Sequence, residues 1–217
     1  MLEPRVSLTR LEKEIKAFEE KLVETGKILF YGSSGFTRWK ERWGHRPLEE
    51  DIPGCINHGF GSSTAEELLY YYPRAIKPWA PRALVVSIFY NDRGFGYSPE
   101  EIMINLAKLL EWARTDFPGI KLYLCDCRPT LKFNGHQIEC NMQEFHDLLK
   151  IYCSLHEDTT MICHADCKEF WLNPEDAGRF DPEKLRQDIF VEDRIHFNQL
   201  GYDIYKEFMK EQLKEIL

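Results

Sequence analysis

The run Ala83-Leu84-Val85-Val86-Ser87-Ile88-Phe89 sets the tightest limit on the fold. It is apolar almost throughout and rich in β-branched residues, so as a strand it must be covered on both faces. Strands of that kind belong to parallel sheets with helices packed above and below. Four shorter runs read as strands beside it: Lys27–Tyr31, Cys55–Asn57, Lys121–Cys125 and Thr159–Cys163. Amphipathic segments separate them. The alternation predicts an α/β fold: a three-layer α/β/α sandwich with about five parallel strands.

Local signals mark the helices. Leu8, Leu11, Ile15, Phe18 and Leu22 recur at spacings of three and four, which predicts an N-terminal amphipathic helix over about residues 7–24, stopped near Gly26. Ser63 with Glu66, or Thr64 with Glu67, offers a capping box for a helix that Pro73 should end. Ser98-Pro99-Glu100-Glu101 has the pattern of an N-cap, a proline at the first helical position and a glutamate reaching back. A loop with Pro129, Asn134 and Gly135 should lead to a helix capped at Asn141, and the segment Asn173–Asp188 reads as irregular. The last helix should begin at Asn198. No repeat, linker or low-complexity stretch interrupts the pattern, so residues 1–217 are expected to form one domain.

Charge and cysteine content narrow the function classes. The formal net charge is -8, which argues against nucleic acid as a partner because phosphate binding favours a basic face. Residues 1–5 carry charge, and neither an apolar signal core nor a run of membrane-spanning length follows. A cytoplasmic protein without membrane association is the expectation. Seven cysteines without a secretory signal point to reduced thiols. Cys125 and Cys127, with the cluster Cys163-His164-Ala165-Asp166-Cys167, offer metal-ligand types. Their spacing fits no standard zinc motif, so no metal and no cofactor are expected.

Candidate chemistry lies where strands end. Ile28–Tyr31 runs into Gly32-Ser33-Ser34-Gly35, a turn that presents two hydroxyls at the carboxyl end of the first strand. A helix after that turn would aim free N–H groups at a ligand, so the turn suits a nucleophile or a phosphate cradle. The third strand opens into Tyr90-Asn91-Asp92. Near the C-terminus, Asp193 and His196 stand three apart, close enough for the carboxylate to hold the imidazole by Nδ1–H and leave Nε2 free as a base. His45, His58, His136, His146, His156 and His164 have no comparable partner in sequence.

In order along the chain stand Gly-Ser-Ser after strand one, a glycine-rich turn after strand two, Asn-Asp after strand three, and Asp-x-x-His-x-Asn before the last helix. This set resembles the GDSL or SGNH hydrolase family, in the subgroup with Gly-Ser-Ser and a following tryptophan, here Trp39. The resemblance spans about residues 27–206. It implies a flavodoxin-like sheet and hydrolysis of carboxylic esters through an acyl-enzyme; separately, the small turns point to a short acyl group such as acetyl, and the aromatic residues beside them to a sugar ring or an acyl chain. By position Ser34 matches the nucleophile, with Asp193 and His196 completing the triad. The oxyanion hole falls to the N–H of Ser34, the N–H of Ser62 and the amide of Asn91. Two positions depart from the pattern: Ser62 and Phe89 stand where the family usually has glycine. Trp39, Phe60, Tyr90 and Phe197 are candidate substrate-binding walls. The G-x-S-x-G elbow of ordinary α/β-hydrolases is absent.

The alternative reading is a flavodoxin-like module without hydrolytic activity, holding a phosphate or flavin phosphate at Ser33–Thr37 with Trp39, Tyr90 and Tyr97 flanking a ring. That reading leaves Asp193 and His196 unexplained.

Overall fold

A computed structural model describes residues 4–132, 136–178 and 181–217, with the side chains of 136–140 excluded. Asn134, Gly135 and the side chain of His136 therefore lie outside the described residues. The elements run α1 (Glu12–Glu19), β1 (Ile28–Gly32), α2 (Ser34–Thr37), α3 (Leu48–Asp51), β2 (Cys55–Gly59), α4 (Ala65–Ala75) and β3 (Ala83–Ser87). They continue with α5 (Tyr90–Gly94), α6 (Pro99–Asp116), β4 (Lys121–Cys125), α7 (His136–Ser154), β5 (Thr159–Ile162) and α8 (Gln199–Gln212).

The five strands are all parallel, in the order β2-β1-β3-β4-β5. This is the flavodoxin-like sandwich. After β1 the chain first moves outward to β2, then returns past β1 to β3, so the carboxyl ends of β1 and β3 flank the switch point where open sheets bind ligands. Alternate residues of each strand feed opposite cores. Leu29, Tyr31, Leu84, Val86, Leu122 and Leu124 face α1, α4, α6 and α7. Ile28, Phe30, Val85, Tyr123 and Cys125 face Trp39, Leu48, Phe170 and the apolar side of α8.

Close approach at the switch point requires glycine. A β-carbon on Gly32 would stand 2.3 Å from the carbonyl oxygen of Ser87, and one on Gly59 would stand 2.5 Å from the Thr37 nitrogen. Neither approach tolerates a side chain, so these positions hold α2 tight against the ends of β1 and β2.

Several boundaries differ from expectation. The N-terminal helix covers Glu12–Glu19 rather than 7–24. Ile15 and Phe18 are buried in the core, Leu11 packs against it partly buried, and Leu22 is exposed. No side chain caps the helix, so its short length is held by that burial and by Arg74, which bridges Glu12 and Glu19. Strand β2 continues through His58 and Gly59, because His58 is an apolar-packed core residue: its ring stacks on Phe18 and its Nδ1 meets the Ala75 carbonyl. Strand β3 stops at Ser87, two residues early, where the chain turns into α5. Helix α4 passes Pro73 by two residues, and α7 begins at His136 rather than Asn141. The Thr64–Glu67 and Ser98–Glu101 capping boxes form, and the Asn198 side chain accepts from Gly201 N–H as the cap of α8. Among the described residues, no helix is long and apolar enough to cross a membrane.

Candidate active site

Ser34 is the first residue of α2, directly past the carboxyl end of β1. The extended backbone of Ser33 makes the turn, and Ser33 N–H donates to the Ser87 carbonyl of β3. Ser34 is thereby fixed by two strands at once. Its Oγ lies 2.8 Å from His196 Nε2, a contact between residues 162 positions apart.

The segment that carries His196 is a tight turn, not a helix. Asp193 organises it. Oδ1 accepts from the backbone N–H groups of Ile195 and His196, both at 2.9 Å, and Oδ2 faces His196 Nδ1 at 2.7 Å. Arg38, four residues after Ser34 along the same stretch, donates to Asp193 Oδ2 at 2.9 Å. Partial burial opposes the Asp193 charge, but the two backbone donors and the His196 ring outweigh it and hold the carboxyl well below the usual carboxylate range. His196 moves down as well, to about 4. Burial is the main cause, reinforced by the positive charge of Arg128 and opposed by Asp193. Ser34, His196 and Asp193 form one continuous hydrogen-bonded chain, with a neutral imidazole at neutral pH.

That neutral state has a consequence in solution. If His196 must accept a proton, ester turnover should stay flat from pH 8 down to about pH 5 and fall as pH drops through about 4. A kcat/KM profile for 4-nitrophenyl acetate checks it, and a fall centred near 6.5 would contradict it. Native-state stability should decline over the same range. The folded chain binds this proton less readily than the unfolded one, so stability is complete above the unfolded value near 6.5 and erodes as pH falls towards 4.

Ser62 and Asn91 share a cavity of about 270 Å³ with His196 and Ser34. The Asn91 side-chain nitrogen donates one hydrogen to the Ser63 carbonyl at 3.1 Å, which orients the amide and leaves its second hydrogen uncommitted by that bond. Ser62 has φ of 61°, in the left-handed region that glycine adopts without cost. The family preference for glycine here thus has a physical reason, which this chain overrides. Ser62→Gly should raise stability by about 1 kcal/mol, a gain of roughly 2–4 °C in Tm for a domain of this size, while keeping the main-chain donor. A thermal melt read beside ester turnover tests this, and a lowered Tm would contradict it.

Three of the four expected aromatic walls lie elsewhere. Trp39 is fully buried against Phe30, Tyr202 and Tyr205, with its indole N–H on Asp51. Phe60 packs under the opposite face with Phe18, Tyr31 and Tyr71. Phe197 is buried between Phe170 and Phe190. All three point from the site-forming turns into the cores, where tertiary packing holds them. Tyr90 does line the cavity, beside Ile88 and Phe89, and its hydroxyl donates to the Arg128 carbonyl at 2.7 Å. Arg38, Trp43 and Arg128 also line the cavity and carry no signal of a site role in the sequence. Arg38 and Trp43 follow the serine turn closely, and Arg128 follows the end of β4, so a rule that every strand-end loop contributes to the site would have flagged them.

The cysteine and histidine segments differ from the pairing considered from sequence. The His164 ring is occupied by the Asp126 carbonyl and the Tyr205 hydroxyl, and Cys167 faces Glu169. Among the described residues, donor atoms of Asp126, His146 and Cys163 lie within 4.8 Å of one another. Asp126 is already the centre of a hydrogen-bonded group: Oδ2 meets His146 Nδ1 and Oδ1 accepts from His164 N–H. So His146 and His164 do have a carboxylate partner, supplied by Asp126 just past the end of β4 and invisible as a local spacing.

The sheet order places Ser34 at the switch point of an open-sheet α/β protein. A family model, the GDSL-like Lipase/Acylhydrolase family, matches residues 24–204, and the chain belongs to that family. No curated protein matches the chain in sequence. Among solved structures it is similar to a GDSL-like lipase of Bacteroides thetaiotaomicron, with 16% identity, 97% of this chain and 100% of the other covered, and a TM-score of 0.73. It is also similar to an acetyl xylan esterase, with 16% identity, 86% and 99% covered, and a TM-score of 0.67. A third is the C-terminal catalytic domain of peptidoglycan O-acetyltransferase A of Streptococcus pneumoniae, with 14% identity, 88% and 94% covered, and a TM-score of 0.59. At such identities these likenesses establish the fold.

Proposed function

We propose that the protein is a serine esterase that cleaves short-acyl esters of small molecules through an acyl-enzyme. The observation that carries this reading is the 2.8 Å contact between Ser34 Oγ and His196 Nε2, with Asp193 behind the ring. Ser34 Oγ attacks the ester carbonyl carbon as its proton passes to His196 Nε2, and Asp193 stabilises the imidazolium that forms. The carbonyl oxygen becomes an oxyanion that accepts from the main-chain N–H groups of Ser34 and Ser62 and from the Asn91 amide. Collapse breaks the bond to the alcohol oxygen, which leaves with the proton from His196. Water, deprotonated by the same ring, then attacks the acyl-serine carbonyl; the bond to Ser34 Oγ breaks, the acid is released, and His196 Nε2 returns its proton to Ser34.

The walls support a short acyl group. Ile88, Phe89 and Tyr90 close one side of a cavity of about 270 Å³, at the small end of ligand pockets. Phe89, where the family usually has glycine, is stacked on Phe145 and so is held in place. Acetyl and similar groups fit this space, and an acetylated sugar is one carrier consistent with the acetyl xylan esterase likeness. The phosphate-module alternative has less support. Trp39 and Tyr97 are buried in the cores and cannot flank a ring, and the Ser34 hydroxyl is committed to His196.

The test is turnover of 4-nitrophenyl acetate, butyrate and octanoate by the purified protein. Acetate is expected to give the highest kcat/KM and octanoate the lowest by about tenfold or more, the scale set by a few methylenes without room. Faster cleavage of octanoate overturns the short-acyl assignment, and no turnover of any overturns the esterase reading.

A further inference from the structure

Arg128 lies three residues past the end of β4 and lines the cavity with Ser34 and His196. It is only 9% exposed. Its Nη2 donates to the Ile195 carbonyl at 2.8 Å, and its guanidinium sits 4.3 Å over the Phe197 ring. Nη1 is buried and has no hydrogen-bond partner. Among the described residues no carboxylate stands within ion-pair distance of Arg128. The other charges at the cavity are already matched: Arg38 with Asp193, and Asp126 with His146. Among the described residues, the cavity thus retains one buried positive charge with no counter-charge. A buried guanidinium without an anion is costly, and arginine's planar fork is shaped to take a carboxylate. The position is also close to the reacting centre. A β-carbon on Gly35, the residue after Ser34, would stand 3.6 Å from Nη1, and glycine leaves that approach clear of a side chain.

We infer that Arg128 determines specificity by binding a carboxylate on the ester substrate, so that the preferred substrates are anionic short esters. This rests on the esterase reading of Ser34. The carboxylate belongs either to the acyl part or to the alcohol part of the ester. Arg128 also braces Ile195, next to His196, and loss of that brace would slow all esters alike. The ratio of rates for a charged ester and its uncharged match removes the shared effect and reads the charge contact alone.

The experiment measures background-corrected kcat/KM for wild type, Arg128→Gln and Arg128→Lys on two matched pairs. One pair is 4-nitrophenyl hemisuccinate and 4-nitrophenyl butyrate, with the charge on the acyl side. The other is 4-acetoxybenzoate and its methyl ester, with the charge on the alcohol side. The expected result is a charged-to-uncharged ratio above ten in the wild type for one pair, which identifies the side. That ratio should fall at least tenfold in Arg128→Gln and recover in part in Arg128→Lys. A wild-type ratio near one or below in both pairs overturns the inference whatever the variants do, and so does a high ratio that Arg128→Gln leaves unchanged. In either case Ser34-dependent turnover of the uncharged esters keeps the esterase reading standing. No turnover of any of the four overturns both.

Discussion

Ser34→Ala is expected to lower kcat/KM for 4-nitrophenyl acetate by on the order of 10,000-fold or more, leaving the fold intact. The substitution removes one oxygen from a residue half-shielded at the start of α2, and that oxygen's hydrogen-bond partner in the structure is His196 Nε2. The imidazole is left facing a cavity, where water can replace the hydroxyl. The Tm should therefore move little while turnover collapses. The main-chain N–H of residue 34 survives the change, so any residual rate reports what the oxyanion donors contribute alone. Ser33→Ala is the matched control. Ser33 caps α2 without a side-chain hydrogen bond to the helix, so its removal should leave most activity in place. Equal rates for wild type and Ser34→Ala would remove Ser34 as nucleophile.

Asp193→Asn should cost roughly 10,000-fold as well, for a different reason. Asp193 Oδ1 accepts two backbone N–H groups, and an asparagine oxygen can keep both. The new NH2 then occupies the place of Oδ2 and donates to His196 Nδ1. That forces the ring into the tautomer protonated at Nε2, which cannot take the Ser34 proton. The change also sets an amide N–H against Arg38, which now pairs with Oδ2. Steady-state kinetics with a thermal melt separates the two effects. A loss below tenfold in a folded variant would mean that His196 does not depend on Asp193 for its tautomer.

Much of this arrangement was readable along the chain. Ala83–Phe89 required cover on both faces, and the structure provides it from two cores. The four segments that carry Ser34, Ser62, Asn91 and His196 are each marked in the sequence by small or polar residues. What escaped were features that depend on non-local contacts. His58 reads as a turn residue beside Gly59, yet its ring is buried by Phe18 and Trp79, which are distant in sequence. Trp39, Phe60 and Phe197 lie in the right turns but point inward, a choice made by packing against β1, α4 and α8 and not by any local pattern. Arg128 carries no motif at all. Its place in the cavity follows only once β4 is set beside β3 and the His196 turn is brought across it. The eight-residue α1 illustrates the same limit: the periodicity of Leu8 to Leu22 is real, but tertiary cover buries Ile15 and Phe18, reaches Leu11 in part and leaves Leu22 exposed.

Covalent capture with a fluorophosphonate, followed by peptide mapping, tests the central claim most directly, because it reports reactivity and address together. The account predicts one adduct per chain, on the Ser34 oxygen of the peptide containing Gly32-Ser33-Ser34-Gly35, formed quickly in wild type and lost in His196→Ala. A protein that stays unlabelled at neutral pH, or one labelled at another residue with Ser34 unmodified, would contradict it.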